Sequence, residues 1–272
     1  MNNLIADAES GIRLSVFIGL FMFLAIAEYL FPRRKLAYSK VQRWLNNIAI
    51  SAFNTLVVRI IFPIAGIGAA LLAQEHQWGF FNLVQTPAWL SILIFLFVFD
   101  LAIYWQHRLF HAVPLLWRFH RMHHTDLDYD LTTGSRFHPV SILISCFIKL
   151  VLVVVMGASV AAILIAEVLL NATAMFNHSN LSLPTKLDRV IRRFLVTPDM
   201  HRIHHSTDDV EHSHNFGFNF PWWDRLFGTY LDQPKLAHEN LDIGILGMQD
   251  KQSIHFFWLL LQPFRNNVNN PK

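Results

Sequence analysis

Five apolar runs, each near the thickness of a bilayer, constrain this chain more than any other feature. They cover residues 14–31, 48–73, 88–105, 140–156 and 158–176. At 1.5 Å per residue, about 20 apolar residues cross the roughly 30 Å hydrocarbon core. Inside that core every backbone N–H and C=O must find its partner within the protein, so runs of this kind are read as helices. The first carries only Glu28, near its end; Arg59 and Pro63 interrupt the second; the third carries Asp100; the last two form a hairpin around Gly157, with Lys149 and Glu167 inside. That hairpin fits either two full spans or a shallower re-entrant pair. A cleaved signal peptide is the competing reading of the first run. Asp7 and Glu9 precede it where basic residues would be expected, and Glu-Tyr-Leu-Phe-Pro is a poor cleavage site, so a retained anchor is favoured.

Composition agrees. Apolar residues make up 53 % of the 272 and charged residues 15 %, against roughly 25 % charged in globular proteins. A net charge of +3, with no arginine-rich run interleaved with aromatics, gives no reason to expect nucleic acid. Cys146 is the sole cysteine, which excludes a disulfide framework, cysteine-held metal clusters and a thiol redox pair.

Positive residues mark the cytoplasmic side. Arg33, Arg34, Lys35, Lys40 and Arg43 follow the first run, Arg108, Arg118 and Arg121 the third, and Lys186, Arg189, Arg192 and Arg193 the hairpin; residues 74–87 hold no Lys or Arg. The expected fold is an all-α integral membrane protein, a transmembrane helix bundle with a cytoplasmic helical cap. With no repeat, linker or low-complexity stretch, residues 1–272 read as one membrane domain. Residues 254–264 are too short to span and are expected to lie in the interface.

The charge rule puts four histidine groups on that one cytoplasmic face: His107 and His111; His120, His123 and His124; His178; and His201, His204 and His205. Residues three or four apart share a helix face, with β-carbons about 5–6 Å apart, so HxxxH and HxxHH each turn several imidazoles to one place. Nine imidazoles exceed the four that close a zinc site and suit two ions. Imidazole alone does not select the metal; the membrane-face setting and the lack of an HExxH carboxylate favour iron. Metal-bound histidines commonly pass their other ring N–H to a carboxylate or carbonyl. Candidates for such support are Asp100, His138, Asn180, Asp199, Asn215 and Asp224. His76, His238 and His255 read as interface residues, His212 and His214 as part of a polar turn, and Lys149 and Glu167 as paired or snorkelling.

These strings resemble the fatty acid hydroxylase/sterol desaturase superfamily of membrane di-iron oxygenases. The resemblance runs from Asp100-Leu-Ala-Ile-Tyr104 through His107-Arg-Leu-Phe-His111, His120-Arg-Met-His123-His124 and Arg136-Phe-His138-Pro139. It continues through Phe176-Asn-His178-Ser-Asn180, Pro198-Asp-Met-His201-Arg-Ile-His204-His205 and Asn215-Phe-Gly217 to Trp223-Asp224-Arg-Leu-Phe-Gly228-Thr229. The resemblance implies a catalytic region over about residues 100–230 and metal ligation by the nine histidines. It implies two non-haem Fe ions, O2 as co-substrate, and hydroxylation or desaturation of a lipid-type, sterol or carotenoid-like substrate. Many sterol-acting members carry a Glu soon after Arg-x-His-Pro, where this chain has Val140 and Ser141. The chain lacks flavin, nicotinamide, haem and iron–sulfur motifs. An external donor is therefore expected: a ferredoxin, rubredoxin or b-type cytochrome with its reductase. Arg189, Arg192, Arg193 and Arg202 read first as positive-inside anchors, with a docking face for that donor as the alternative. A bacterial inner membrane is the expected location. The alternative function is a zinc-dependent membrane hydrolase; a metal-handling or transport protein is a third reading, disfavoured because the histidines sit at the span ends.

Overall fold

The computed structural model describes residues 2–64, 66–249 and 251–265, with side chains from Ala8 onward, so the Asp7 side chain lies outside it. The described residues form helices and turns, with two isolated bridges, Pro32 to Leu181 and Ser206 to Ile243. In chain order the helices are α1 (Asn2–Leu30), α2 (Lys40–Ile61), α3 (Ile67–Glu75), α4 (Phe80–Leu83), α5 (Ala88–Ala112), α6 (Pro114–His124), α7 (Pro139–Met156), α8 (Val160–Asn177), α9 (Thr185–Ile191), α10 (Pro198–His204), α11 (Asp209–His212), α12 (Trp222–Leu226) and α13 (Phe256–Leu261).

Five of these are long and apolar enough to cross a membrane: residues Ala8–Leu30 of α1, then α2, α5, α7 and α8. The chain is a multi-pass membrane protein. The second span corrects the sequence reading of 48–73. Pro63 has no N–H to donate and disfavours helix in the residue before it, so α2 stops at Ile61. A kinked turn with Gly66 at φ +66° then starts the separate α3. The span moves back to Lys40, where Ser39 caps its first turn. The α7–α8 hairpin turns at Gly157 in the left-handed conformation, φ +64°. Each arm has 18 residues, about 27 Å, close to a full crossing. The α3–α4 loop presses on the hairpin tip so tightly that a Cβ on Gly79 would fall 2.2 Å from the Gly157 nitrogen.

The apolar core of the bundle joins α3, α5, α7 and α8 through Ala70, Phe95, Phe99, Val153 and Ile163. Arg13 of α1 pairs with Glu9 and Glu167 (α8), and Lys149 lies 3.8 Å from Glu167. The expected pairing of Lys149 and Glu167 is thus present. Such charges are costly in a bilayer and tie three helices together.

One end of the bundle carries a cap. Glu28, at the end of α1, accepts from the backbone N–H groups of Leu131 and Asn180, each at 2.7 Å. Arg43 is fully buried in α2. It makes a two-pronged contact with Asp126 (2.9 and 2.8 Å) and a third bond to Asp130 (2.5 Å), while Asp128 accepts from the N–H groups of Ala37 and Tyr38. These carboxylates tie residues 125–136 to α2 and to the residues just before it. In the C-terminal segment Trp258 and Leu259 of α13 pack on Ile50 and Met122, while His255, Phe257, Leu261 and Phe264 stay exposed.

Candidate metal centre

The nine histidines of the four sequence groups meet at the cap end of the bundle. His107 and His111 come from the last two turns of α5. His120, His123 and His124 come from α6, which starts at Pro114, a position where proline costs no hydrogen bond. His178 follows the end of α8, and His201, His204 and His205 come from α10, capped by the Thr197 hydroxyl. Two sets have all their ligand atoms within 4.8 Å of one another: His107, His111, His120 and His124; and His123, His178, His201 and His205. His204 joins the first set, its Nε2 lying 3.0 Å from that of His107. The sets adjoin, with 4.4 Å between the ring centres of His124 and His205. HxxHH explains the division: adjacent His123 and His124 splay to different sets.

Hydrogen bonding sets the proton positions. His107, His178 and His204 each place Nδ1 against a backbone carbonyl, of Phe216 (2.9 Å), Ala174 (2.8 Å) and His214 (2.8 Å). A carbonyl only accepts, so each Nδ1 carries the hydrogen and each Nε2 is a bare lone pair. The Nε2 atoms of His107 and His204 therefore face each other as two acceptors, which cannot bond to one another. The Nε2 atoms of His178 and His123 (3.2 Å) and of His111 and His124 (3.1 Å) also converge. The Nδ1 atoms of His120, His123 and His124 and both nitrogens of His205 are buried without a partner. A cation resolves the conflict. Two nitrogens bound to one ion at about 2.1 Å, roughly a right angle apart, lie about 3 Å from each other. The donor set fits two metal ions.

Electrostatics point the same way. Burial, reinforced by neighbouring imidazoles, holds His120, His123, His124, His201, His204 and His205 well below the ordinary histidine range. Burial brings His178 down to about 3. The rings are neutral near pH 7, as metal ligands must be. Apolar walls orient them: Phe137 stacks on His123 at 4.3 Å, and Phe216 packs at 5.2 Å on both His111 and His204.

The six candidate supporting residues sit one step further out. Asp100 accepts from the N–H groups of Asn219, Phe220 and the Trp223 indole, so it anchors a loop and touches no histidine ring. Asp224 accepts from the N–H groups of Phe216 (2.8 Å) and Gly217 (2.7 Å) and from Thr229, and thereby fixes the carbonyl that holds His107. The Asn215 amide bridges Met200 and Leu231, Asn180 donates to Arg34 O, and Asp199 pairs with Arg202 and Arg33. His138 caps α7, accepting from Val140 N–H. Main-chain carbonyls, which have no residue signature, hold the ring N–H groups instead.

Other sequence expectations change. Arg202 is fully buried against Asp199 and the Tyr129 ring and is no docking residue. Arg192 is buried on Asp188, whereas Arg189 and Arg193 stay exposed. His238 is buried, 3.7 Å from Asp199; His76 and His255 are exposed as expected. The largest miss is His212. It is only 7 % exposed and lies with its ring centre 4.6 Å from His124 and 4.8 Å from His111. Asp208 accepts from the N–H groups of Val210 and Glu211. That Asp-x-x-Glu start, a capping signature, was the available sign that His212 ends a helical turn and folds inward.

Residues 92–229, just over half of the chain, match the fatty acid hydroxylase family. The chain belongs to the fatty acid hydroxylase family. Among relatives, ornithine lipid hydroxylase OlsE of Rhizobium tropici is 28 % identical over 92 % of this chain and 74 % of its own length. Alkylglycerol monooxygenase of Xenopus tropicalis is 29 % identical over 69 % of this chain and 41 % of its own length. Lathosterol oxidase of Mus musculus is 25 % identical over 61 % and 53 %. This family member therefore spans three quarters of one such relative and about half or less of the other two. No solved structure matches it.

Proposed function

We propose that this chain is a membrane-embedded, O2-dependent non-haem di-iron hydroxylase acting on a hydrocarbon chain of a lipid. The observation that carries the reading is the convergence of two adjoining histidine sets, with the bare Nε2 atoms of His107 and His204 facing each other and no hydrogen to share. His107, His111, His120, His124 and His204 would hold one ion; His123, His178, His201 and His205 would hold the other. When bound, the two irons supply O2 activation and the oxidising power to cleave an unactivated C–H bond. Neither set contains a carboxylate, so the base that a zinc hydrolase needs is missing from it.

The protein's own part is placement. Backbone carbonyls keep the proton of His107, His178 and His204 on Nδ1, and Asp224 keeps the loop bearing one of those carbonyls in place. Phe137, Phe216 and Trp117 pack around the rings and exclude water. The centre sits where α5 and α8 end, so a lipid chain lying between the spans reaches it without leaving the bilayer. Alignment with an ornithine lipid hydroxylase over most of the chain, and Val140 and Ser141 where many sterol-acting members carry Glu, favour a polar-headed acyl or alkyl lipid over a sterol. Hydroxylation is favoured over desaturation on the same ground. Cys146 is the sole thiol, so electrons come from a separate ferredoxin, rubredoxin or b-type cytochrome, with Arg189 and Arg193 free to meet it. The positive residues of the loops support a centre on the cytoplasmic face, and the membrane of this reading is a bacterial inner membrane.

The test is metal content of detergent-purified protein, beside a His123→Ala, His204→Ala double variant, followed by a lipid panel supplied with O2 and a reductase chain. Two irons per chain, lost in the variant, with a hydroxylated lipid in the panel, is the expected result. Zinc alone, with turnover that needs no reductant, would sink the reading.

A further inference from the structure

His212 belongs to none of the spaced histidine motifs, yet it is more than nine-tenths buried; neither ring nitrogen makes a well-aligned hydrogen bond, and the backbone of His204 and Ser206 is the polar surface beside it. A neutral histidine that gives its one N–H to a backbone carbonyl still leaves the other nitrogen a bare acceptor, the arrangement already seen at His107, His178 and His204. Its surroundings are other imidazoles. The ring centre lies 4.6 Å from His124, 4.8 Å from His111 and 5.6 Å from His204, to which it is parallel within 1°. Rings within the first set are spaced the same way: His107 to His111 is 5.1 Å, His111 to His120 5.0 Å and His111 to His124 4.8 Å. On the outer side, Trp117 closes over it at 5.0 Å.

We infer that His212 is a tenth metal-binding imidazole of the centre, serving the ion position bounded by His111, His124 and His204. The inference rests on the metal-centre reading above. It makes the two positions unequal: six imidazoles surround the first and four the second, so room for an exchangeable ligand falls on the second. The Asp208 cap and the buried Glu211, whose carboxylate accepts from Lys235 N–H at 2.6 Å, hold α11 in the place this role requires.

The experiment titrates metal-free protein in detergent with Co2+ against a competing chelator, read by visible absorption. Wild type, His212→Ala, His212→Gln and, as control, the exposed His76→Ala are compared, with circular dichroism to check folding. Wild type and His76→Ala should take up two Co2+ per chain. Losing a partner outside the coordination sphere costs about 10–100-fold in affinity. Losing a ligand should therefore weaken one Co2+ step by more than about 100-fold and leave the other unchanged. If His212→Ala does not fold, the near-isosteric His212→Gln carries the test. Two Co2+ bound by a folded variant with wild-type affinity and spectrum would overturn the role of His212 alone. A wild type that takes up no Co2+ would overturn the metal centre itself.

Discussion

Arg43→Met probes whether the cap is held by charge compensation. Arg43 is surrounded by Asp126 and Asp130, and all three side chains are fully buried. Removing one partner of a buried pair costs about 3–5 kcal/mol, because the remaining charge is stranded. Arg136 lies 3.9 Å from Asp126 and covers part of its charge, so the stranded group is mainly Asp130 and the lower end, about 3 kcal/mol, applies. At about 2–4 °C per kcal/mol, thermal unfolding in detergent should shift down by roughly 6–12 °C. Because residues 125–136 follow directly from His123 and His124, bound metal should weaken as well. The companion variant, Arg43→Met with Asp130→Asn, removes the stranded charge and should recover much of the loss. A shift of less than about 2 °C in the single variant, or a double variant no more stable than the single, would refute this account.

Three further outcomes are expected. Asp224→Asn should weaken metal binding by about 10–100-fold in a chelator competition, since the carbonyl that fixes His107 is held through Asp224; unchanged affinity would contradict it. His138→Ala should cost about 1 kcal/mol of stability through the lost cap while both metals stay, because its ring meets Val140 N–H and Leu260 O and no ligand; metal loss would count against that. Metal-free protein should lose stability as pH falls from about 6.5, the ordinary histidine value, toward 4. Burial holds His178 at about 3 and His212 at about 4 in the folded chain, so the unfolded chain binds more protons across that window. A flat melting temperature from pH 7.5 to 5 would refute it.

The sequence made the spans and the centre legible for different reasons. Membrane helices need long apolar runs, and those survive in one dimension. The end of α2 did not, because a run of apolar residues continues past Pro63 into a second helix. The nine histidines were visible because helix spacing of three and four is written in the sequence. Their supports were not: Phe216, Ala174 and His214 act through main-chain carbonyls, which any residue has. The nearby carboxylates Asp100 and Asp224 turned out to hold backbone N–H groups of a loop. Asp126, Asp128 and Asp130 carry no local sign of their role, since their partners, Arg43 and the N–H groups of Ala37 and Tyr38, lie more than 80 residues earlier.

The pairing of Arg13 with Glu167 also sets an order in time. The two are 154 residues apart, so at roughly 5–20 residues per second of synthesis the first helix exists for roughly 8–30 s before its distant counter-charge is made. During that interval Glu9, one turn away on the same helix, is the carboxylate at hand. The first helix can therefore enter the bilayer as a locally neutral unit and be locked in register only when α8 arrives. Assembly of the bundle would then finish from its middle, with the histidines of α10 added to a scaffold already closed.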